Sequence, residues 1–201
     1  MKQAKVLTDK EFKRVLKVVA TMRHAHRNKL ALMLSHYAGF RVGEIAHLKI
    51  RDVRGPSGKV LDRVHLNPAY TKGGYSRTVL LNSTLIKEIE RYFRSLSDLS
   101  GSLSAVRLAR LLNPDAPLIS SQKRRHFSAN SLCQLFSEIY TSAGIVGASS
   151  HSGRRGMISK LAHAGISPKV IMELAGHRQL TTTQRYIEVT DELKREAVEL
   201  L

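Results

Sequence analysis

Residues 58–81 carry the only convincing strand–turn–strand signal in this chain, and nearly everything on either side reads as helix. GKVLDRVHLNP and SRTVLL are short, β-branched and partly alternating, and Pro68 and the turn-forming Lys72-Gly73-Gly74 lie between them. One hairpin set among helices leaves few architectures open. The expectation is a mainly α fold with one small antiparallel sheet, an α+β class.

The helical signals begin almost at once. Thr8-Asp9-Lys10-Glu11 has the form of a capping box, and Phe12, Val15, Leu16 and Val19 follow at helical spacing. NKLALMLSHYAG puts Leu30, Leu34 and Tyr37 on one face, with Gly39 placed to end the helix. RVGEIAHLKI reads as another short helix, with Arg41 at its start. TLIKEIERYFRSL resumes the pattern after the hairpin, and the Ser-rich SLSDLSGSLSAVR reads as an exposed loop. The segment NSLCQLFSEIYTSAG follows a basic loop. Further helical segments are GRRGMISKLAHAG, SPKVIMELAGH with Ser167 at N-cap and Pro168 at N1, TTTQRYI, and the amphipathic DELKREAVELL with Leu193, Ala197, Val198, Leu200 and Leu201. No internal repeat divides the chain, and residues 1–201 are expected to form one domain.

The charge narrows the partner. Thirty-three Lys and Arg against 16 Asp and Glu give a net charge of +17, which suits a polyanion, nucleic acid first. One cysteine, Cys133, excludes an internal disulfide and a Cys-rich zinc site. MKQAKVLTDKEFKR has no apolar signal-peptide core, and no apolar run approaches the ~18 residues of a membrane span. A cytoplasmic, nucleoid-associated protein with no membrane partner is expected. The histidines form no HExxH pattern and there is no acidic cluster at ligand spacing, so no metal and no cofactor are expected. The basic stretches RHAHRNK (23–29) and KRRH (123–126) read as phosphate contacts or solvated faces, with Lys123, Arg124 and Arg125 as candidate DNA contacts.

Four segments hold the candidates for chemistry: Arg41 in AGFRVGEI, Lys72 in AYTKGGYSRTVLL, His151 and Arg154 in SSHSGRRG, and His177 and Tyr186 in LAGHRQLTTTQRYIEV. Singly, each is as readily a surface cation, a core histidine or a core tyrosine. In this order, Arg…Lys…His-x-x-Arg…His…Tyr, they resemble the tyrosine recombinase (phage integrase) family from about Thr8 to the end of the chain. The resemblance implies the fold of that family's catalytic domain and a site-specific recombinase that cleaves and rejoins double-stranded DNA through a 3′-phosphotyrosyl intermediate.

The chemistry fits the residue types. Tyr186 would be the nucleophile, and its aryl oxide is also a fair leaving group, so the step reverses without ATP. Arg41 and Arg154 are planar cations suited to a bidentate grip on phosphate oxygens. By the resemblance, His177 donates to a non-bridging oxygen, His151 is the general acid–base partner, and Lys72 protonates the 5′-hydroxyl leaving group. Glu44 matches the position that orients the first arginine, although an ordinary surface Glu fits the sequence nearly as well.

Two departures from the family stand out. Only seven residues precede the cap at Thr8, so the core-binding domain that most members place first is expected to be missing, as in the short fimbrial-switch invertases. Gly153 stands where the family usually has leucine, which is expected to loosen the placement of Arg154. The resemblance also implies a homotetramer on paired sites, with the tail helix of residues 187–201 exchanged between protomers, and an accessory DNA-bending protein is a further candidate partner. A type IB topoisomerase uses nearly the same residues, and a non-catalytic DNA-binding derivative is the alternative outside enzymes.

Overall fold

The computed structural model describes residues 3–70, 74–98, 113–123, 125–186 and 191–199. Helix α1 (Asp9–Ala20) begins at the expected box: Glu11 N donates to Thr8 Oγ1 at 3.2 Å, and Thr8 N donates to Glu11 Oε2 at 2.9 Å. Helix α2 (Ala25–Ala38) starts earlier than its apolar pattern suggests and is the centre of the molecule. Leu30, Ala31, Leu32, Met33 and Leu34 are consecutive and all buried, so no single face is apolar. α1 and the helices of residues 83–98 and 152–163 pack around it.

The short helices α3 (Val42–His47) and α4 (Ile50–Val53) lead to β1 (Arg63–Leu66), a single 3-10 turn at Pro68–Tyr70, and β2 (Arg77–Leu80). The strands pair antiparallel in the register Arg63 to Leu80 and Leu66 to Arg77. Val64, Leu66 and Val79 face the core. Helix α5 (Ser83–Asp98) takes in the first residues of the Ser-rich stretch, and residues 99–107 of the expected loop lie outside the described residues. Helix α6 (Ala129–Ser142) is capped by Ser128, which accepts from Ser131 N at 3.1 Å. It buries Leu132, Phe136, Ile139 and Tyr140, one stripe at helical spacing.

The last helices are α7 (Ser152–His163), α8 (Pro168–Ala175), α9 (Leu180–Gln184) and α10 (Asp191–Val198). Gly153 fits α7 tightly onto α2. A Cβ there would lie 2.7 Å from Ser35 Oγ and 3.1 Å from His36 N. The expected slack around Arg154 is therefore not found, because the missing side chain is what lets the two helices close. Ala197 and Val198 on α10 are exposed. No described helix is long and apolar enough to cross a membrane.

The basic stretch 23–29 also differs from its sequence reading. Arg27 is partly buried, donates to Ser120 O at 3.0 Å and lies over the Phe127 ring. Lys29 pairs at 2.7 Å with Glu88, which is buried. Both tie α2 to its neighbours inside the fold, and neither serves as a solvated face.

Candidate active site

The C-terminal end of α8 organises the site. A helix leaves its last carbonyls without intrahelical partners and carries partial negative charge there. Here three successive carbonyls each receive one arginine. Leu174 O accepts from Arg77 Nη1 at 3.1 Å, Ala175 O from Arg154 Nη2 at 2.5 Å, and Gly176 O from Arg41 Nη2 at 3.3 Å. Ser167 and Pro168 start this helix and Gly176 ends it in the left-handed conformation, at φ 64°. Glycine is required at that point twice over, since any Cβ would also collide with the Arg77 side chain.

Arg41 is the N-cap residue of α3, and Glu44 one turn on reaches back to it. Glu44 Oε2 accepts from Arg41 N at 2.8 Å, and Oε1 from Arg41 Nη1 at 2.8 Å. The same carboxylate accepts from Arg77 Nη2 at 2.7 Å and Nε at 3.2 Å. Glu44 is only 1% exposed. Burial alone would raise its pKa, but the bonds from Arg77 and Arg41 outweigh burial and hold it below the usual carboxylate value.

Arg154 lies on α7, buried, with Nη1 donating to Gly39 O at 2.6 Å. Burial, then the charges of Arg41 and Arg77, bring its guanidinium down to about 9, so it remains a cation at neutral pH. Three guanidiniums against one carboxylate leave an uncompensated positive charge. Two of them, Arg41 and Arg77, line a cleft with Tyr75, Ser76, Gly176, His177 and Arg178. It suits an anion with several acceptor oxygens.

His177 follows Gly176 directly and is half-buried. Its Nδ1 is 2.9 Å from Thr183 Oγ1. Burial, then Arg154, Arg41 and Arg77, lower it to about 4, which keeps the ring neutral at physiological pH. On its other side the ring stacks against Tyr186, with centroids 5.7 Å apart and planes 22° apart. Tyr186 packs on Ile158, Ile171 and Ala175, and Arg155 lies over its ring at 5.8 Å. Its hydroxyl bonds to no described residue, and the ring lines a groove with Gln3–Val6, Arg155, Ser159 and His163.

The structure thus gathers Arg41, Glu44, Arg154, His177 and Tyr186. His151, the N-cap residue of α7, is exposed one turn before Arg154, and its ring bonds to none of them. Lys72 lies outside the described residues, as does Arg124, while Lys123 and Arg125 are exposed. Sequence reasoning missed Arg77 and Thr183. Arg77 shares a strand face with the buried Val79, so the alternation in SRTVLL was a usable signal. Among the described residues no three His, Cys, Asp or Glu side chains group as metal ligands.

Comparison with known proteins gives the chain a lineage. The phage integrase family model matches residues 5–192. The chain belongs to the phage integrase family. Among its relatives, tyrosine recombinase XerA of Pyrococcus horikoshii is 30% identical over 199 residues, which cover 97% of this chain and 60% of the relative. Tyrosine recombinase XerD of Oceanobacillus iheyensis is 25% identical over 186 residues, 92% of this chain and 58% of the relative. The chain therefore spans about three fifths of the length of these integrase-family relatives.

Solved structures agree on the fold. The crystal structure of XerA recombinase superposes with a TM-score of 0.71 at 22% identity, covering 100% of this chain and 64% of that one. XerH site-specific recombinase bound to its palindromic difH substrate, a post-cleavage complex, gives 0.70 at 20% identity, covering 96% of this chain and 51% of that one.

Proposed function

We propose that this chain carries the catalytic machinery of a site-specific DNA recombinase. It cleaves and rejoins duplex strands through a 3′-phosphotyrosyl intermediate. The observation that supports this best is the arginine cleft at the end of α8, with His177 standing between it and a tyrosine whose hydroxyl bonds to no described residue.

A phosphodiester enters the cleft with its non-bridging oxygens toward Arg41, Arg154 and His177. Each arginine has N–H groups beyond those given to carbonyls and Glu44, and these donate to the oxygens as charge builds on phosphorus. The Tyr186 oxygen attacks phosphorus and its proton passes to a base, for which His151 is the candidate. The bond from phosphorus to the 5′ oxygen breaks, and Lys72 supplies the proton that oxygen needs. The 3′-phosphate is left esterified to tyrosine. Attack by a 5′-hydroxyl, from the same or another duplex, reverses the step, and one phosphoester bond replaces another, so no ATP is needed.

The wider assembly follows from the same reading. The chain acts as one catalytic domain on double-stranded DNA, as a homotetramer on paired sites, in the service of a mobile element at the nucleoid. Lys123, Arg124 and Arg125 contact the backbone, and an accessory bending protein assists. The exposed Ala197 and Val198 of α10 support docking of the tail on a neighbouring protomer. XerH was solved bound to its difH substrate, and a DNA partner is the natural one for a net charge of +17.

The test mixes purified protein, without metal or ATP, with duplexes tiled from the DNA flanking its gene. Denaturant-resistant protein–DNA adducts are expected from the wild type and not from Tyr186→Phe, which should still bind. An adduct from Tyr186→Phe would overturn the assignment of the nucleophile.

A further inference from the structure

Thr183 is fully buried, yet it carries a hydroxyl. A buried hydroxyl left unpaired is costly, so its partner matters. Among the described residues, its one side-chain hydrogen bond is to His177 Nδ1, at 2.9 Å. Its carbonyl meanwhile accepts the Tyr186 N–H at 2.9 Å. One residue therefore holds both the imidazole at the arginine cleft and the backbone of the tyrosine stacked on that imidazole.

The hydroxyl can meet Nδ1 in only two ways. If Nδ1 carried the proton, Thr183 would accept it, and its own O–H would be left without a described acceptor in a buried place. If Nδ1 is bare, the hydroxyl donates into it and is satisfied. A neutral imidazole with a bare Nδ1 has its only N–H at Nε2, on the ring edge turned away from Thr183. A second ring proton is opposed by burial and by the three guanidiniums, in line with the lowering of His177 to about 4.

We infer that Thr183 is a positioning residue: its hydroxyl donates to His177 Nδ1, fixing the Nε2–H form so that a neutral imidazole presents its one donor to the phosphate. This rests on the proposed recombinase reading for the identity of the anion, but the state of the ring is a property of the protein alone. Without the hydroxyl, both neutral forms become available and the form with Nδ1–H offers the phosphate an acceptor, which repels it. An outer partner of this kind is expected to be worth on the order of 10-fold in rate, less than a direct donor.

The test labels histidine with ¹⁵N in the 201-residue chain and reads ring protonation by long-range ¹H–¹⁵N correlation at neutral pH. The His177 signals are assigned by their loss in His177→Gln. The wild type and Thr183→Ser should show a bare Nδ1 and a protonated Nε2. Thr183→Val, which keeps shape and loses the hydroxyl, should show a mixture of forms and cleave about 10-fold more slowly in single turnover with unchanged DNA affinity. Rescue of the rate by Thr183→Ser separates the hydroxyl from mere packing. A protonated Nδ1 in the wild type, or a Thr183→Val protein with unaltered ring state and rate, would overturn the inference. If Thr183→Val does not fold, the wild-type and Thr183→Ser spectra still decide it. A wild type that forms no DNA adduct would defeat the recombinase reading and leave the ring assignment standing.

Discussion

Arg77 on strand β2 grips Glu44 of helix α3 with two hydrogen bonds, at 2.7 and 3.2 Å. Glu44 in turn holds Arg41 at 2.8 Å. A residue of the hairpin thereby sets the position of an arginine at a helix start 36 residues earlier in the chain (77 minus 41). The ring of contacts closes through α8, since Leu174 and Gly176 carbonyls hold the two arginines.

Removing Arg77 should therefore hurt stability and activity together. Arg77→Ala strips half the partners from a buried carboxylate, and a loss of about 3 kcal/mol in urea unfolding is expected. Arg77→Lys should rescue little of the cleavage rate, because one ammonium cannot copy a planar fork that spans Glu44 and the Leu174 carbonyl. Near-wild-type stability in Arg77→Ala would show that Glu44 finds its compensation elsewhere.

Glu44 itself predicts an acid-side loss. Its folded pKa lies below the ordinary value of 4.5, so the unfolded state takes up the proton first as pH falls. Its contribution is complete above that ordinary value and drains away as pH drops through the lower folded one. The difference in unfolding free energy between wild type and Glu44→Gln should be flat from pH 8 to about 5 and shrink below about 4. A difference that stays constant down to pH 3 would contradict the pairing.

Two histidines predict a second, milder slope. His36, buried and stacked on Phe12 at 3.7 Å, and His177 are both held near 4, by burial in the first place. Between the ordinary 6.5 and about 4 the unfolded chain binds more protons, so stability falls as pH falls through that window and levels off below it. His36→Phe keeps the stack, removes a buried Nδ1 with no hydrogen-bond partner among the described residues, and should flatten part of the slope. Chemical denaturation at pH 7, 6, 5 and 4 reads this directly.

Gly153→Leu should destabilise. Even its Cβ would press on Ser35 Oγ and His36 N, so α7 must lift from α2 and carry Arg154 with it. A loss of about 1–3 kcal/mol and a matching fall in adduct yield are expected, with Gly153→Ala between the two. Unfolding midpoints of the three proteins rank the effect. A stabilised Gly153→Leu would mean that the helices have room to separate without cost.

Lys123 and Arg125 should act on binding alone. Both are exposed and make no ion pair among the described residues. Each substitution to Ala should lower the slope of log affinity against log salt by about 0.9 if it removes one phosphate contact. Binding of the Tyr186→Phe protein to a duplex across a salt series measures it, and an unchanged slope would place the DNA elsewhere.

Much of this was legible along the chain because it depends on neighbours in sequence. The capping box at Thr8, the Ser167-Pro168 start and Gly176 stop of α8, and the hairpin around residues 63–80 rest on local rules of hydrogen bonding and backbone freedom. The ordered set of Arg41, Lys72, His151, Arg154, His177 and Tyr186 was visible in the same way, as residue types in sequence. Arg27 and Lys29 were not legible, because a basic residue on a helix reads the same whether it meets solvent or a buried carboxylate. Gly153 was misjudged for a related reason: the value of an absent side chain depends on what would have struck it, and Ser35 is more than a hundred residues away in the chain (153 minus 35 is 118).

By itself, the sequence determined the helical class, the hairpin, the polyanion-seeking charge and the candidates for chemistry. Only the tertiary structure decided that three arginines converge on three successive carbonyls, that one carboxylate disciplines two of them, and that Thr183 joins His177 to Tyr186. Local signals are set by bonds across three or four residues. The cleft is set by like charges brought together from α3, β2 and α7, an arrangement tolerable only where a helix terminus and Glu44 offset the repulsion, and that balance exists only once the chain has folded.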